Sequence, residues 1–286
     1  MTKTIAVFST KGGVGKTLIA SNLAVALAKD EDRKALLIDL DLHVVGDMAR
    51  MLGLKPQRSV ADLIQVIKVR GKIEYDKIII DEFVMHTAFG IDFLPGVLRP
   101  QQSPHLDQSK IKDLFNLLEK KYDYIIVDAG RSFSDVFVCA LNQAHLILLV
   151  ATPDILSVYQ TKWALDTLQF LHFPLDMIRV VLNRAESDSS ISWQEIRTTL
   201  PVEIIARLPS EGKSVGLAVN RGVPIVIDNP GTRIARAIKK FASDLVNNEQ
   251  LFIARQEADQ LKLKETIVEK TGEFWQAENL TEPLDD

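Results

Sequence analysis

Lys11 and Lys16 bracket the glycines of the run Thr10-Lys-Gly-Gly-Val-Gly-Lys-Thr17. That arrangement of residue types suits one chemistry, the binding of a polyphosphate. Gly12, Gly13 and Gly15 leave successive backbone N–H groups free to point at phosphate oxygens, and a following helix adds the positive end of its dipole. The spacing is G-x-x-x-x-G-K-[ST] with Thr10 in place of the first glycine. Lys16 is expected to reach the β- and γ-phosphates, and the Thr17 hydroxyl to face Mg²⁺. Lys11 enters on the other side of the turn, where its own chain makes a γ-phosphate contact awkward; it is better placed to reach a neighbour's nucleotide.

Two further segments supply acids. Leu37-Ile38-Asp39-Leu40-Asp41 and Ile125-Ile126-Val127-Asp128 each run from an apolar stretch into aspartate. A carboxylate at a strand end beside the phosphate loop can hold Mg²⁺ through water, and a buried carboxylate without such a partner is costly. Asp128 therefore reads as the metal-side acid. For Asp39 and Asp41 two readings stand, a site role or capping of the next segment. Val180-Val181-Leu182 ends in Asn183-Arg184. A side-chain amide, donor and acceptor together, matches the amino and ring-nitrogen pair of adenine and favours ATP over GTP; a plain turn residue is the alternative.

These groups need a scaffold that brings strand ends together. Apolar runs predict strands over 5–9, 35–39, 91–94, 124–128, 145–151, 178–183 and 202–208, and helices over 16–28, 109–120, 155–170 and 212–220. Strands this apolar, separated by helices, imply an α/β fold: a doubly wound, mostly parallel sheet with helices on both faces and its ligand loops at the carboxyl ends of the strands. Every motif named above falls at such an end.

Composition agrees. The 286 residues are 47% hydrophobic and 25% charged, enough for a large core, and the formal net charge of −4 argues against a wholly basic nucleic-acid binder. The one cysteine, Cys139, cannot form an internal disulfide or hold an iron–sulfur cluster alone and is expected in the core. No signal peptide or membrane-length apolar run is visible, so a cytoplasmic address is expected.

The run Lys11-Gly-Gly-Val-Gly-Lys16-Thr17 resembles the deviant Walker A box of the MinD/ParA ATPases, in which the extra lysine crosses an ATP-sandwiched dimer. The resemblance implies a Mg²⁺-dependent ATPase that turns over slowly as a switch and forms a homodimer through the nucleotide. It makes Lys11, Lys16 and Asp41 the catalytic set, with Asp41 in switch I orienting the attacking water. Thr17, Asp39 and Asp128 become the metal set. Residues Lys11 to Leu18 (Val14 and Leu18 included), Gly130, Asn183, Arg184 and Pro209 become the nucleotide set, Pro209 opening the loop that closes over the base. Ala129-Gly130-Arg131 occupies switch II, where the family usually has a proline.

Several stretches are similar to the CpaE/TadZ pilus-assembly branch: Asp39-Leu-Asp-Leu-His43 with Gly46-Asp47, Ser59-Val-Ala-Asp-Leu63, Phe93-Leu-Pro-Gly-Val-Leu-Arg-Pro100 and Ala218-Val-Asn-Arg-Gly-Val-Pro224. That likeness implies a protein partner in an assembly or positioning system, and recruitment to a pole or membrane-associated complex. A MinD-like regulator on the membrane and a ParA-like partition ATPase on DNA are the alternatives. Residues 1–247 are expected to form the ATPase domain and 248–286 a C-terminal helical extension with an acidic tail. Residues 250–286 hold four Lys/Arg and nine Asp/Glu, a charge balance that an anionic membrane should repel. Leu251, Phe252, Leu261, Ile267, Phe274 and Trp275 offer an apolar stripe for self-association or a partner.

Overall fold

The alternation of β-branched and leucine-rich runs with helical segments builds one eight-stranded sheet clothed on both faces. The computed structural model describes residues 2–42, 44–70, 80–186, 191–255 and 257–261. His43, Ile267, Phe274, Trp275 and the acidic tip, all singled out above, lie outside them.

The chain runs β1 (Lys3–Phe8), α1 (Lys16–Lys29), β2 (Ala35–Asp39), α2 (Asp47–Met51), α3 (Val60–Arg70), β3 (Met85–His86), β4 (Asp92–Pro95) and α4 (Ile111–Leu118). It continues through β5 (Tyr124–Asp128), α5 (Asp135–Leu141), β6 (Leu146–Ala151), α6 (Ile155–Phe170), β7 (Ile178–Asn183), α7 (Trp193–Thr199) and β8 (Ile204–Leu208). The helices α8 (Gly212–Arg221), α9 (Ile225–Asp228) and α10 (Arg233–Asn247) follow.

The strand order is β3-β4-β2-β5-β1-β6-β7-β8, parallel throughout except for the two-residue β3 at the edge. The first strand therefore lies inside the sheet, between β5 and β6. Such a reversal of strand order opens a crevice at the carboxyl ends, and the phosphate loop leaves β1 at that point. Side chains alternate by strand pleat. Ala6 and Phe8 face α3 to α6, whereas Ile5 and Val7 face α1 and α10, and all four are fully buried. Helix α1 is covered nearly all round, from Ile19 to Leu27, because it is wedged between the sheet, α9 and α10.

Several boundaries differ from the expectations. His145 stays outside β6, its N–H bonded to Thr4 O and its ring to Thr4 N. Strand β8 starts at Ile204 rather than at 202, and its pairing with β7 shifts register just after, between Val180 and Val181. The helix expected from 109 opens as a 3₁₀ turn, Gln108–Lys110, before α4. Helices α2, α3, α5, α7, α9 and α10 and strand β3 carried no expectation. Cys139 is half-buried rather than enclosed, because α5 turns it to the margin of the core.

After α10 the chain crosses the amino-terminal end of the sheet. Phe252 packs edge-on to Tyr124 under the Lys3 ammonium, Ile253 N donates to His145 O, and Arg255 binds Gln143 O and Glu119. A cavity of about 740 Å³ opens beside this crossing, remote from every motif at the carboxyl ends.

Candidate functional site

Read in spatial order, the strand ends β2, β5, β1, β6, β7 and β8 deliver Asp39, Asp128, the phosphate loop, Asp154, Asn183 and Pro209. Residues far apart in sequence thus line one crevice.

The loop from Ser9 to Gly15 turns with Gly13 at φ 75° and Gly15 at φ 99°, left-handed backbone that glycine adopts without strain. Gly15 is the position before α1 and carries no side-chain cap, so the free N–H groups of Lys16, Thr17 and Leu18 form the positive end of a 14-residue helix. Lys16 is buried, and together with Gly12, Gly13, Thr17, Asp39 and Asp41 it lines a cavity of about 190 Å³.

Asn183 braces this loop. Its Nδ2 donates to Val14 O at 2.7 Å, and its Oδ1 accepts from Arg184 N at 3.0 Å. A Cβ on Gly15 would lie 2.5 Å from that Nδ2. Arg184, at φ 54°, reaches Gly13 O at 3.3 Å. These bonds use one hydrogen and one lone pair of the Asn183 amide. Pro209 lies beyond, beside Trp193, whose ring carries the Arg207 guanidinium at 4.4 Å, in a separate cavity of about 270 Å³.

The acids form a compact set. Asp39 and Asp128 are paired partners in the β2–β5 ladder, both buried. Burial pushes the Asp39 carboxyl well above the usual range, and the neighbouring Asp128 charge pushes it further. Burial also raises Asp128, against the Thr17 hydrogen bond and the Lys16 charge, which lower it. Thr17 Oγ1 donates to Asp128 Oδ2 at 2.5 Å, and Gly130 N donates to Asp128 Oδ1 at 3.2 Å. Two buried, mutually repelling carboxylates beside a threonine hydroxyl and a phosphate cradle fit a divalent cation, since the cation would relieve both penalties.

Asp41 follows β2 with its N–H on Asp39 Oδ1 at 3.1 Å. Gly130, at φ 76°, lies close against it, with a Cβ there only 3.0 Å from Asp41 Cγ. The two loops expected as switches are therefore in contact.

Lys11 is placed apart from this cavity. Its Nζ binds both oxygens of Asp154, at 2.6 and 2.7 Å. Asp154 also caps α6, accepting from Ser157 N and from Thr152 Oγ1. Its partial burial would raise the carboxyl, but Lys11, Thr152 and Ser157 together hold it below the usual range. Sequence reasoning missed Asp154, although an aspartate ahead of a helical run is a capping signal. It also missed Val44 and Met48 on the cavity wall, which nothing in their types marks, and it quoted Asp47 only within the CpaE/TadZ pattern, without a site role. Beside Asp154, α6 exposes Ile155, Leu156, Tyr159 and Trp163, all more than half accessible. Phe133, two residues beyond Arg131, packs edge-on against Trp163.

A family described as an AAA domain, AAA_31, matches residues 2–173. The septum site-determining protein MinD of Thermotoga maritima is 29% identical over 247 residues, 85% of this chain and 87% of that protein. A ParA family ATPase from Chlorobium tepidum TLS has a similar structure, with TM-score 0.76 at 26% identity over 85% of this chain and 98% of that one. MinD from Pyrococcus horikoshii OT3, complexed with Mg-ADP, has the same fold, with TM-score 0.71 at 24% identity over 87% and 99% of the two chains.

Proposed function

This chain belongs to the MinD/ParA-type P-loop ATPases, and from that premise we propose that it is an ATP-dependent dimerising switch that positions or assembles a cellular machine. It is an ATPase that uses ATP, ADP and Mg²⁺.

Backbone N–H groups from Gly12 to Leu18 and the Lys16 ammonium hold the triphosphate. Asn183 keeps that loop in shape and offers its remaining hydrogen and lone pair to adenine, with Arg184 and Pro209 at the margin. Thr17 and Asp128, with Asp39 beside them, are the residues that would hold Mg²⁺, which when bound offsets charge on the phosphates. Asp41 accepts a hydrogen bond from the attacking water and aims it at the γ-phosphorus; Gly130 supports Asp41 and offers its N–H to the γ-phosphate.

The observation that carries the switch is the position of Lys11. It is held at the N-cap of α6, outside the cavity lined by Lys16, next to an exposed apolar strip. A lysine on the rim of its own site suits delivery to a second copy, so that the ATP-bound homodimer is the active state and hydrolysis releases it. The contact between Phe133 and Trp163 gives a route by which switch II can alter the face of α6 offered to a protein partner.

The motifs from Asp39 to Asp47, Ser59 to Leu63, Phe93 to Pro100 and Ala218 to Pro224 favour the CpaE/TadZ branch and an assembly role. A MinD-like or ParA-like role is the second reading, supported by similarity along most of the chain to such proteins. We assign residues 1–247 to the ATPase domain and 248–286 to an extension that begins where α10 ends. Among the described residues no helix is long and apolar enough to cross a membrane; we place the protein in the cytoplasm, recruited to its machine.

Light scattering after gel filtration tests the switch. An Asp41→Ala variant should be dimeric in Mg²⁺-ATP, monomeric in Mg²⁺-ADP and monomeric in both once Lys11→Ala is added. A monomer in every condition removes the mechanism. ATP-dependent sedimentation with anionic liposomes would favour the MinD-like role, and salt-sensitive DNA binding the ParA-like one.

A further inference from the structure

Arg131 follows Gly130 in switch II and lines the phosphate cavity with Gly12, Lys16 and Asp41. Its Nη1 lies 3.7 Å from where a Gly12 Cβ would be, so the guanidinium stands directly over the first glycine of the loop. Among the described residues it has neither ion pair nor hydrogen bond, although Asp39, Asp41 and Asp47 line the same cavity. An arginine left without a carboxylate in an acid-rich cavity has its planar set of donors available for another anion.

We propose that Arg131 is a catalytic residue that donates hydrogen bonds in cis to the γ-phosphoryl group as it transfers. The inference rests on the ATPase reading of this cavity and deepens it. Gly12 belongs to the same loop as Lys16, four residues before it, and Arg131 lines one cavity with both. Lys16 and Arg131 therefore both border the space that a γ-phosphate would fill. In the reaction, a bond forms between water oxygen and the γ-phosphorus while the bond from that phosphorus to the β–γ bridging oxygen breaks. The electron pair of the broken bond leaves on ADP, and the water proton passes to the phosphate product. Negative charge spreads over the γ-oxygens and the bridging oxygen, so a guanidinium that bonds there stabilises the transition state more than bound ATP. The same cavity also puts Arg131 beside Asp41, through Gly130, so movement of switch II carries charge and water position together.

The test is steady-state ATP hydrolysis by wild type, Arg131→Ala and Arg131→Lys, with binding of a fluorescent ATP analogue and of Mg-ADP with aluminium fluoride as transition-state mimic. Arg131 is exposed, and circular dichroism checks the fold of each variant. The expected result is a loss in kcat of about 100-fold or more in Arg131→Ala, an ATP affinity changed by less than about threefold, and loss of the aluminium fluoride complex. Arg131→Lys should recover part of kcat, and added guanidinium ion should rescue Arg131→Ala and leave wild type unaffected. An unchanged kcat, or weaker ATP binding with kcat intact, overturns the proposal. A wild type that neither hydrolyses ATP nor loses nucleotide binding on Lys16→Ala would instead sink the underlying ATPase reading.

Discussion

Lys11 Nζ lies within 2.7 Å of both carboxylate oxygens of Asp154, the N-cap of α6. The first lysine of the phosphate loop is thus tied to the end of β6 while the second, Lys16, is buried in the cradle. A lysine so tied has to be released before it can serve a second molecule.

The first prediction concerns that release. Asn at position 154 keeps an oxygen for Ser157 N but gives up the ion pair. The pair is partly exposed, so it is worth about 0.2–1 kcal/mol. Asp154→Asn should then tighten the ATP-dependent dimer of the Asp41→Ala background by up to about fivefold, measured by analytical ultracentrifugation. Weaker dimerisation would mean that Asp154 serves the dimer rather than restrains it. Asp154 is held below the usual carboxylate range, so its share of stability is present above that range and is lost only as pH falls beneath it. The restraint should persist unchanged at pH 5.

A second prediction follows from Asp39. Its folded-state carboxyl is raised, by burial first and by Asp128 second, so its contribution is favourable only below the ordinary carboxylate range and is lost as pH rises through the raised value. Without metal, its burial beside Asp128 is a cost to the fold whenever it ionises. Asp39→Asn should raise the Tm of metal-free protein, by about 2–4 °C per kcal/mol relieved in a chain of this size, and reduce the further rise that Mg²⁺-ADP gives wild type. A variant that melts lower without metal would refute the account.

Gly15 provides the third. A methyl group there would meet Asn183 Nδ2 at 2.5 Å on backbone at φ 99°. Gly15→Ala should abolish nucleotide binding in calorimetry, costing at least about 2 kcal/mol of affinity or roughly thirtyfold. Far-UV circular dichroism should remain that of wild type, since α1 is anchored through Ile19 and Leu23 rather than through the loop.

The fourth lies at the other end of the sheet. Burial, and then the Arg255 and Lys3 charges, lower His145 to about 4. A depressed histidine stabilises the fold above its unfolded pKa of about 6.5 and loses that contribution as pH falls towards 4, here about 3 kcal/mol in all. Its Nδ1 accepts from Thr4 N, a role an asparagine oxygen can fill. His145→Asn should therefore flatten the fall in Tm between pH 6.5 and 4, and parallel curves for the two proteins would exclude this histidine as the cause.

Much of the site can be read from the chain because its geometry is local. The turn at Gly13 and Gly15, the helix start at Lys16 and the hydroxyl of Thr17 all follow within eight residues, and apolar runs ending in Asp39, Asp128 and Asn183 announce strand ends. Of the helices without an expectation, α5, α7 and α10 do carry N-cap residues (Ser134, Ser192 and Thr232) that sequence reasoning passed over, whereas α2 and α9 lack such signals. Helix α2 is five residues long, α9 is four, and β3 is an edge pair whose two residues show no period.

By itself, then, the sequence determined the phosphate cradle and the acids at strand ends, because backbone conformation and burial act over a few neighbouring residues. Only the tertiary structure decided which strand ends meet. With β1 placed between β5 and β6, Thr17 reaches Asp128, Asn183 clasps Val14, and Lys11 is bound by an aspartate 143 positions away. Those partners are fixed by strand order, a property of how separated segments pack into one sheet, and no local pattern in the chain encodes it.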